Sequence, residues 1–334
     1  MFAKGINFNF VKKNIVKSRK FAYSWNKIKN ILIGSNVKRG LIIQLIIYTI
    51  LISVGFVYLY PLLYMIVTSM KSLSDLLDSS INWIPSGFYI KNYIQAMNVM
   101  NFKSAIIGSF YIALVPTLFQ VFVCSLVGYG FARYDFFGKR ILFALVIFTF
   151  VIPPQITMMP TYVLYSRLGL IGTMKAFIFP ALLGQGFKSA IFIFIFYQFY
   201  RQTPKVLYEA AEIDGAGHLI CYFKIAIPTS IPAFIVSFLF SFVWYWNETY
   251  LTQLYLGNSG MGTNSSITTI LLQLQQFEAN YNALYPANVY TTMRINEAIE
   301  MAGTVISILP LLIIYFILQK YFVESVDRIG ITGE

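Results

Sequence analysis

The chain has 334 residues, of which 57% are apolar and only 11% charged, and its mean hydropathy is +0.67. A typical soluble domain carries roughly 25% charged residues. So little polar surface cannot coat a water-soluble globule, which excludes a soluble enzyme, a disordered chain and a coiled coil and leaves an all-α polytopic membrane protein.

The net charge of +12 is unevenly spread. Residues 1–40 hold ten Lys or Arg and no acid. A basic arm just ahead of an apolar run marks the cytoplasmic flank of a membrane span, and attraction to anionic lipid accounts for it without nucleic acid. A transmembrane helix needs about 20 mostly apolar residues. Candidate spans are Leu41–Val67, Ala105–Ala132, Ile141–Tyr165, Ala176–Tyr200, Ser230–Tyr250 and Met301–Phe322. Pro153-Pro154 must kink or interrupt the third, and Lys188 lies inside the fourth.

With six spans and a cytoplasmic N-terminus, the inward segments carry 18 cations and the outward loops 6. The positive-inside rule then places both termini in the cytoplasm of a multi-pass plasma-membrane protein. The organisation expected is a basic arm at 1–40, a first helix and outward loop at 41–103, a membrane core at 104–322 and a cytoplasmic tail at 323–334. The connection 251–300 is too long for a mere joint. It faces outward, with turn residues Gly257, Gly260, Gly262 and Asn264-Ser265-Ser266, then a short amphipathic helix at Ile267–Phe277.

The connection between the fourth and fifth spans is the most informative. Pro204 suits a helix start, with Thr203 as its cap. Glu209, Glu212 and Asp214 are expected near the first turns, where the helix dipole favours anions. Ala210-Ala211 leaves one face small enough for close approach, and Gly215 and Gly217 can end the helix. A short exposed helix results, shaped to dock on another protein.

The run Glu209-Ala210-Ala211, three residues, Gly215, nine residues, Ile225-Ala226-Ile227-Pro228 resembles the EAA signature of ABC-importer permeases, departing only in Ile227 where leucine is usual. The run Ile213-Asp214-Gly215-Ala216, the Trp246-Asn247-Glu248 triplet and the tail Gly330-Ile331-Thr332-Gly333-Glu334 are similar to the maltose-type carbohydrate permeases, and to their six-helix subunit in particular. The likeness runs from about residue 45 to the C-terminus. It implies a type I ABC-importer permease fold and the transport of a sugar or oligosaccharide. It implies a coupling helix at about 204–217, with Glu209, Ala210, Ala211, Asp214, Gly215, Ala216, Gly217 and Pro228 meeting a cytoplasmic ATPase. It also implies a second permease subunit, two ATPase subunits that carry ATP and Mg2+, and an extracytoplasmic solute-binding protein reached by the outward loop.

Other residues keep two readings. Lys188 either lines the pathway or snorkels to an interface. Gln155, beside the double proline, belongs to a gate or to a packing kink. Asn247 and Glu248 either touch solute or sit in the aromatic belt of Trp244, Tyr245 and Trp246. His218 and the distant Cys124 and Cys221 show neither catalytic nor metal-ligand spacing. No GxxxxGK[ST] loop is present, so hydrolysis of ATP falls to a partner and this chain is not an enzyme. A non-sugar or phosphorylated solute on the same architecture, and a secondary transporter, remain as alternatives.

Overall fold

The structure is a computed structural model that describes residues 40–257, 267–286 and 295–331, with side chains to residue 320. The basic arm, Gly260, Gly262, Asn264-Ser265-Ser266 and the last three residues of the tail lie outside the described residues. The described residues contain helices and connections but no strand. Two units divide the chain at residue 67. The first contains α1 (Leu41–Ser69) up to Val67, whose side chains from 41 to 67 are exposed or half-buried. A helix apolar on every side and exposed along its length is suited to lipid rather than water.

In the second unit, α2 (Leu73–Leu77) and α3 (Lys91–Val99) precede α4 (Phe102–Arg133), a 32-residue helix long enough to cross the roughly 30 Å apolar core of a bilayer. The side chains of α4 explain its central place. Ser109, Ala113, Thr117, Gln120, Cys124 and Gly128 fall on one buried stripe at spacings of three and four, with buried Gly108 and Ser125 beside it. In a membrane, where apolar packing offers no gain over lipid, small residues let backbones meet and hydroxyls bond across helices. At Gly128 an added Cβ would lie 2.7 Å from the Phe196 Cβ and 3.0 Å from the Ile193 carbonyl oxygen, so this glycine sets the crossing with α8 (Ser189–Gln202). Thr117 meets Ser241 of α12 (Ile231–Asn247) at 3.1 Å between hydroxyl oxygens, and Phe110 stacks edge-on against Trp246 at 5.3 Å.

The third and fourth expected spans are both broken. α5 (Lys139–Val151) and α6 (Pro154–Arg167) meet at a 100° bend, because Pro153 and Pro154 offer no N–H to continue the ladder. The single fourth span expected at Ala176–Tyr200 is instead two helices, α7 (Lys175–Leu182) and α8, separated at 183–188. Gly184 and Lys188 both adopt left-handed backbone there, which no α-helix accommodates. By length and composition three described helices can cross a membrane, or up to five if each bent pair is one span. The third of the long helices is α16 (Glu297–Ile331), reached through α13 (Tyr250–Leu256), α14 (Ile270–Gln275) and α15 (Phe277–Leu284). The expected single amphipathic helix at Ile267–Phe277 is thus a pair of short ones. They do not stand away from the bundle: Ile270, Phe277 and Tyr281 belong to its core, and the Ile270 N–H donates to Ser109 Oγ at 2.8 Å.

The connection from α1 to α3 is held by its own hydrogen bonds. Lys71 donates to the carbonyls of Ile81 and Asn82, and Asn92 Nδ2 to those of Ser69 and Lys71. Ser72 and Asp75 form a capping box on α2. The Ser86 hydroxyl donates to Asp75 Oδ1 at 2.6 Å and outweighs the cost of burying the charge, so the carboxyl sits below its ordinary 3.8. A depressed carboxylate contributes stability that is complete above the ordinary value and is lost as pH falls through the folded one. Limited proteolysis of 72–90 should therefore accelerate as pH drops below 3.8, and Asp75→Asn should be cut readily already at neutral pH. A wild-type loop equally resistant across that acid range would refute the assignment.

Candidate functional site

The connection after α8 is built from its ends inward. Thr203 does not cap the next helix as expected; its hydroxyl donates back to the Phe199 carbonyl at 3.3 Å and closes α8, while extended Pro204 starts α9 (Lys205–Ile213). The C-terminal end is a complete Schellman turn: Gly215 N–H donates to the Glu212 carbonyl at 3.0 Å and Ala216 N–H to that of Ala211 at 2.8 Å. Gly215 has φ +82°, a conformation that a Cβ disfavours. Gly217 does not end α9 but starts α10 (His218–Cys221).

Glu209 lies mid-helix, Glu212 in the last turn and Asp214 at the C-cap. The first turn holds no acid. The expectation of dipole-favoured acids is therefore reversed, because the helix starts at Lys205 and its C-terminal half-charge opposes Glu212 and Asp214. Glu209, Ala210, Glu212 and Asp214 are exposed, Ala211 and Ala216 half-buried. Val206 and Ile213 are exposed too, by 69% and 86%, so α9 offers apolar and acidic side chains together. Its opposite side is anchored. Arg133, at the end of α4, places its guanidinium 3.6 Å from the centre of the buried Tyr208 ring and donates to the Thr203 carbonyl at 2.8 Å. Arg133→Ala should cost about 2 kcal/mol locally, seen as faster amide exchange across 203–213 with the membrane helices unchanged. Unchanged exchange there would show that the strap is idle.

After α10 the chain runs through a π-helical turn (Tyr222–Ala226) into α11 (Ile227–Thr229), where Pro228 is exposed, and then bends by 77° into α12. Buried hydroxyls bind this bend to the bundle. Ser125 Oγ lies 2.6 Å from Tyr200 Oη and 3.0 Å from Tyr222 Oη, and Ser230 donates to the same Tyr200 oxygen at 3.3 Å. π-turns of this kind concentrate at functional positions.

A second constellation lies at the break between α7 and α8. Gln120 Nε2 donates to the Phe187 carbonyl at 2.7 Å, Phe187 N–H donates to Tyr245 Oη at 3.1 Å, and the Tyr245 hydroxyl donates to Gln120 Oε1 at 2.7 Å. Gly186 fits under this clamp, since an added Cβ would meet Gln120 Oε1 at 2.5 Å. Next in the chain, Lys188 holds φ +56° with its Nζ 4.3 Å from the centre of the Trp244 ring. Lys188 and Glu248 line one cavity of about 390 Å3 together with Tyr165, Tyr245, Tyr255 and Thr161. Glu248 Oε1 accepts the Leu251 N–H at 2.9 Å. Gln155 and Asn247 are not part of that lining: both are exposed, and Asn247 Nδ2 donates back to the Val243 carbonyl.

Reasoning from sequence missed Arg133, Gln120 and Tyr245. Arg133 entered only as one of the inward cations and Tyr245 only as belt. Gln120 carried a signal that was available, being a lone amide within a long apolar run.

Residues 124–328 match the family of binding-protein-dependent transport system inner membrane components. Among curated relatives, the chain is 28% identical to the osmoprotective compounds uptake permease protein GgtD of Synechocystis sp., over 85% of this chain and 90% of that one. It is 28% identical to the polygalacturonan/rhamnogalacturonan transport system permease protein YtcP of Bacillus subtilis, over 84% and 95%. The arabinooligosaccharides transport system permease protein AraQ of Halalkalibacterium halodurans is likewise 28% identical, over 84% and 93%. A chain from the crystal structure of a bacterial ABC transporter involved in the import of the acidic polysaccharide alginate shares the fold, with a TM-score of 0.69 over 84% of this chain and 96% of its own at 19% identity.

Proposed function

We propose a function from one premise: the chain belongs to the binding-protein-dependent transport system inner membrane component family. It is the permease subunit of an ATP-driven importer for a carbohydrate, and α9 is the element through which a separate ATPase drives it. The observation that carries this reading is the build of Lys205–Ile213, which exposes Val206, Ile213, Glu209 and Glu212, with exposed Asp214 at its C-cap, while Arg133 and Tyr208 fix its other side to α4. A helix meant only as a connection has no reason to expose isoleucine or to gather acids where its dipole opposes them. An ATPase cleft with apolar walls and basic residues supplies what both lack.

A carbohydrate is supported by relatives whose names refer to arabino-oligosaccharides and polygalacturonan, and by the tyrosines and threonines of the cavity beside Lys188. In this account both termini and α9 lie in the cytoplasm. A second permease completes the pathway, two ATPase subunits hold ATP and Mg2+, and an extracytoplasmic protein delivers the solute. This chain's part is to pass ATPase closure on. α9 moves with the cleft, Arg133 transmits the displacement to α4, and the π-turn and 77° bend before α12 accommodate it, as in a hinge transition between inward and outward access.

The test is purification of the tagged chain in mild detergent, co-expressed with the genes flanking its own, followed by reconstitution into vesicles. The expected result is a complex with an ATPase subunit whose solute uptake requires ATP. Uptake driven by an ion gradient without ATP would overturn the reading.

A further inference from the structure

We propose that the start of α8 holds a negatively charged group of the transported solute, which makes the solute an anionic carbohydrate. The inference rests on the importer reading above and adds to it a substrate class and a seat. A cavity of about 360 Å3 opens beside this helix end, and Lys188 is the one charged residue in its lining; Leu142, Leu145, Val146, Phe150 and Ile193 make its walls apolar. Among the described residues no carboxylate comes within ion-pair distance of Lys188. Lys188 is exposed, its Nζ lies over the Trp244 and Phe187 rings, and a cation without a carboxylate partner at the edge of largely apolar walls attracts an anion more strongly than one in open water does.

Three further features converge on the same place. α8 is 14 residues long and begins at Ser189, so the positive end of its dipole adds to the Lys188 charge. Ser189 lines the cavity, is 5% exposed, and its hydroxyl has no hydrogen-bond partner among the described residues. A buried hydroxyl left unpaired costs free energy that an anion's oxygen would recover. Finally, Lys188 is one of two non-glycine residues with positive φ among the described residues, and the Gln120–Tyr245 clamp on Phe187 holds the backbone just before it. Strain of this sort persists where the surroundings enforce it and collects at ligand sites. Glu248 lines only the neighbouring 390 Å3 cavity, which shares Thr149, Gln185, Gly186 and Lys188 with this one. The anionic group therefore belongs on the side away from Glu248, and the uncharged part of the sugar on the side of Tyr165, Tyr245 and Tyr255.

The experiment measures binding to the complete transporter in lipid nanodiscs by equilibrium dialysis. Two matched pairs of probes are used: trigalacturonate against its methyl ester, and glucose 6-phosphate against glucose. The expected result is that at least one anion binds about tenfold or more tightly than its neutral counterpart, that Lys188→Gln erases this preference, and that Lys188→Arg retains it. Which pair shows the preference distinguishes a carboxylate from a phosphate. Equal binding within both pairs, no binding by any probe, or a preference that survives in Lys188→Gln would overturn the proposal. The comparison of acid with ester needs no variant, so a misfolded substitution cannot hide the answer. Failure of the importer reading is seen separately, as a complex that lacks an ATPase subunit; a complex that hydrolyses ATP but shows no anion preference removes the present inference alone.

Discussion

Glu209→Lys and Gly215→Pro should each reduce solute uptake to about a tenth of the wild-type rate or less, with the protein still present in the membrane. The two act differently on one element. Glu209 is exposed on α9, so its reversal leaves the fold intact and places a cation against a surface that fits acids. Reversing one charge of a close pair across an interface costs several kcal/mol, and each 1.4 kcal/mol is about tenfold in affinity. Gly215 acts through the backbone. Proline fixes φ near −65°, whereas this residue sits at +82°, and it would remove the N–H that bonds the Glu212 carbonyl. The Schellman turn would open and α9 would lose its angle to α10. Glu209→Lys should lose the ATPase from the complex, while Gly215→Pro should keep some of it and hydrolyse ATP without transport. Uptake and ATP hydrolysis measured side by side check both, and normal uptake in the two variants would contradict the role given to α9.

Gly128→Leu should remove the folded protein altogether. Its Cβ would stand 2.7 Å from the Phe196 Cβ and 3.0 Å from both the Ile193 carbonyl oxygen and the Tyr197 nitrogen, so the obstruction is largely backbone and cannot rotate away. Separating α4 from α8 also draws apart Ser125 and Tyr200, which bond at 2.6 Å. Overpacking of a tight core costs about 3 kcal/mol or more when backbones must part. Gly130, two residues on, is the internal control: a Cβ there meets nothing within 4 Å, and Gly130→Leu should be tolerated. Monodisperse protein recovered in detergent is the measurement. Equal recovery of both variants would show that the crossing at Gly128 is not the joint described.

The contrast between these two glycines shows how far sequence reaches in such a chain. Hydropathy located α1, α4 and α16 well, because length and apolar content are what the bilayer demands of any span. It failed at 183–188, because the apolar runs on both sides carried the count across Gly184-Gln185-Gly186 and Lys188, where two left-handed residues break the ladder. The reason is tertiary: the bond from Gln120 and the one to Tyr245 hold Phe187 from helices far away in sequence. The buried face of α4 was written in its small and polar residues, and a scan for Gly, Ser, Thr and Gln at helical spacing would have found it where hydropathy could not. In the α9 connection the signature residues located the element and Gly215 its end, since spacing and a positive φ are local properties. The acids were misplaced relative to the dipole because the helix is only nine residues long, which leaves Glu209 in its middle and Glu212 and Asp214 at its C-terminal end. Arg133 could not be assigned, as a cation at a helix end reads the same whether it meets water or a tyrosine face.

The central claim is that α9 seats in an ATPase subunit. It is tested most directly by replacing Val206 with the photoreactive residue p-benzoylphenylalanine and irradiating intact cells that express the full transporter, with the same replacement at Ile141 of α5 as a comparison. Val206 and Ile141 are both 69% exposed, so reactivity alone does not separate them. The account predicts a cross-link from position 206 to a nucleotide-binding subunit, weakened by Glu209→Lys, and none to that subunit from position 141. A cross-link from 206 only to lipid or to another membrane subunit would contradict it.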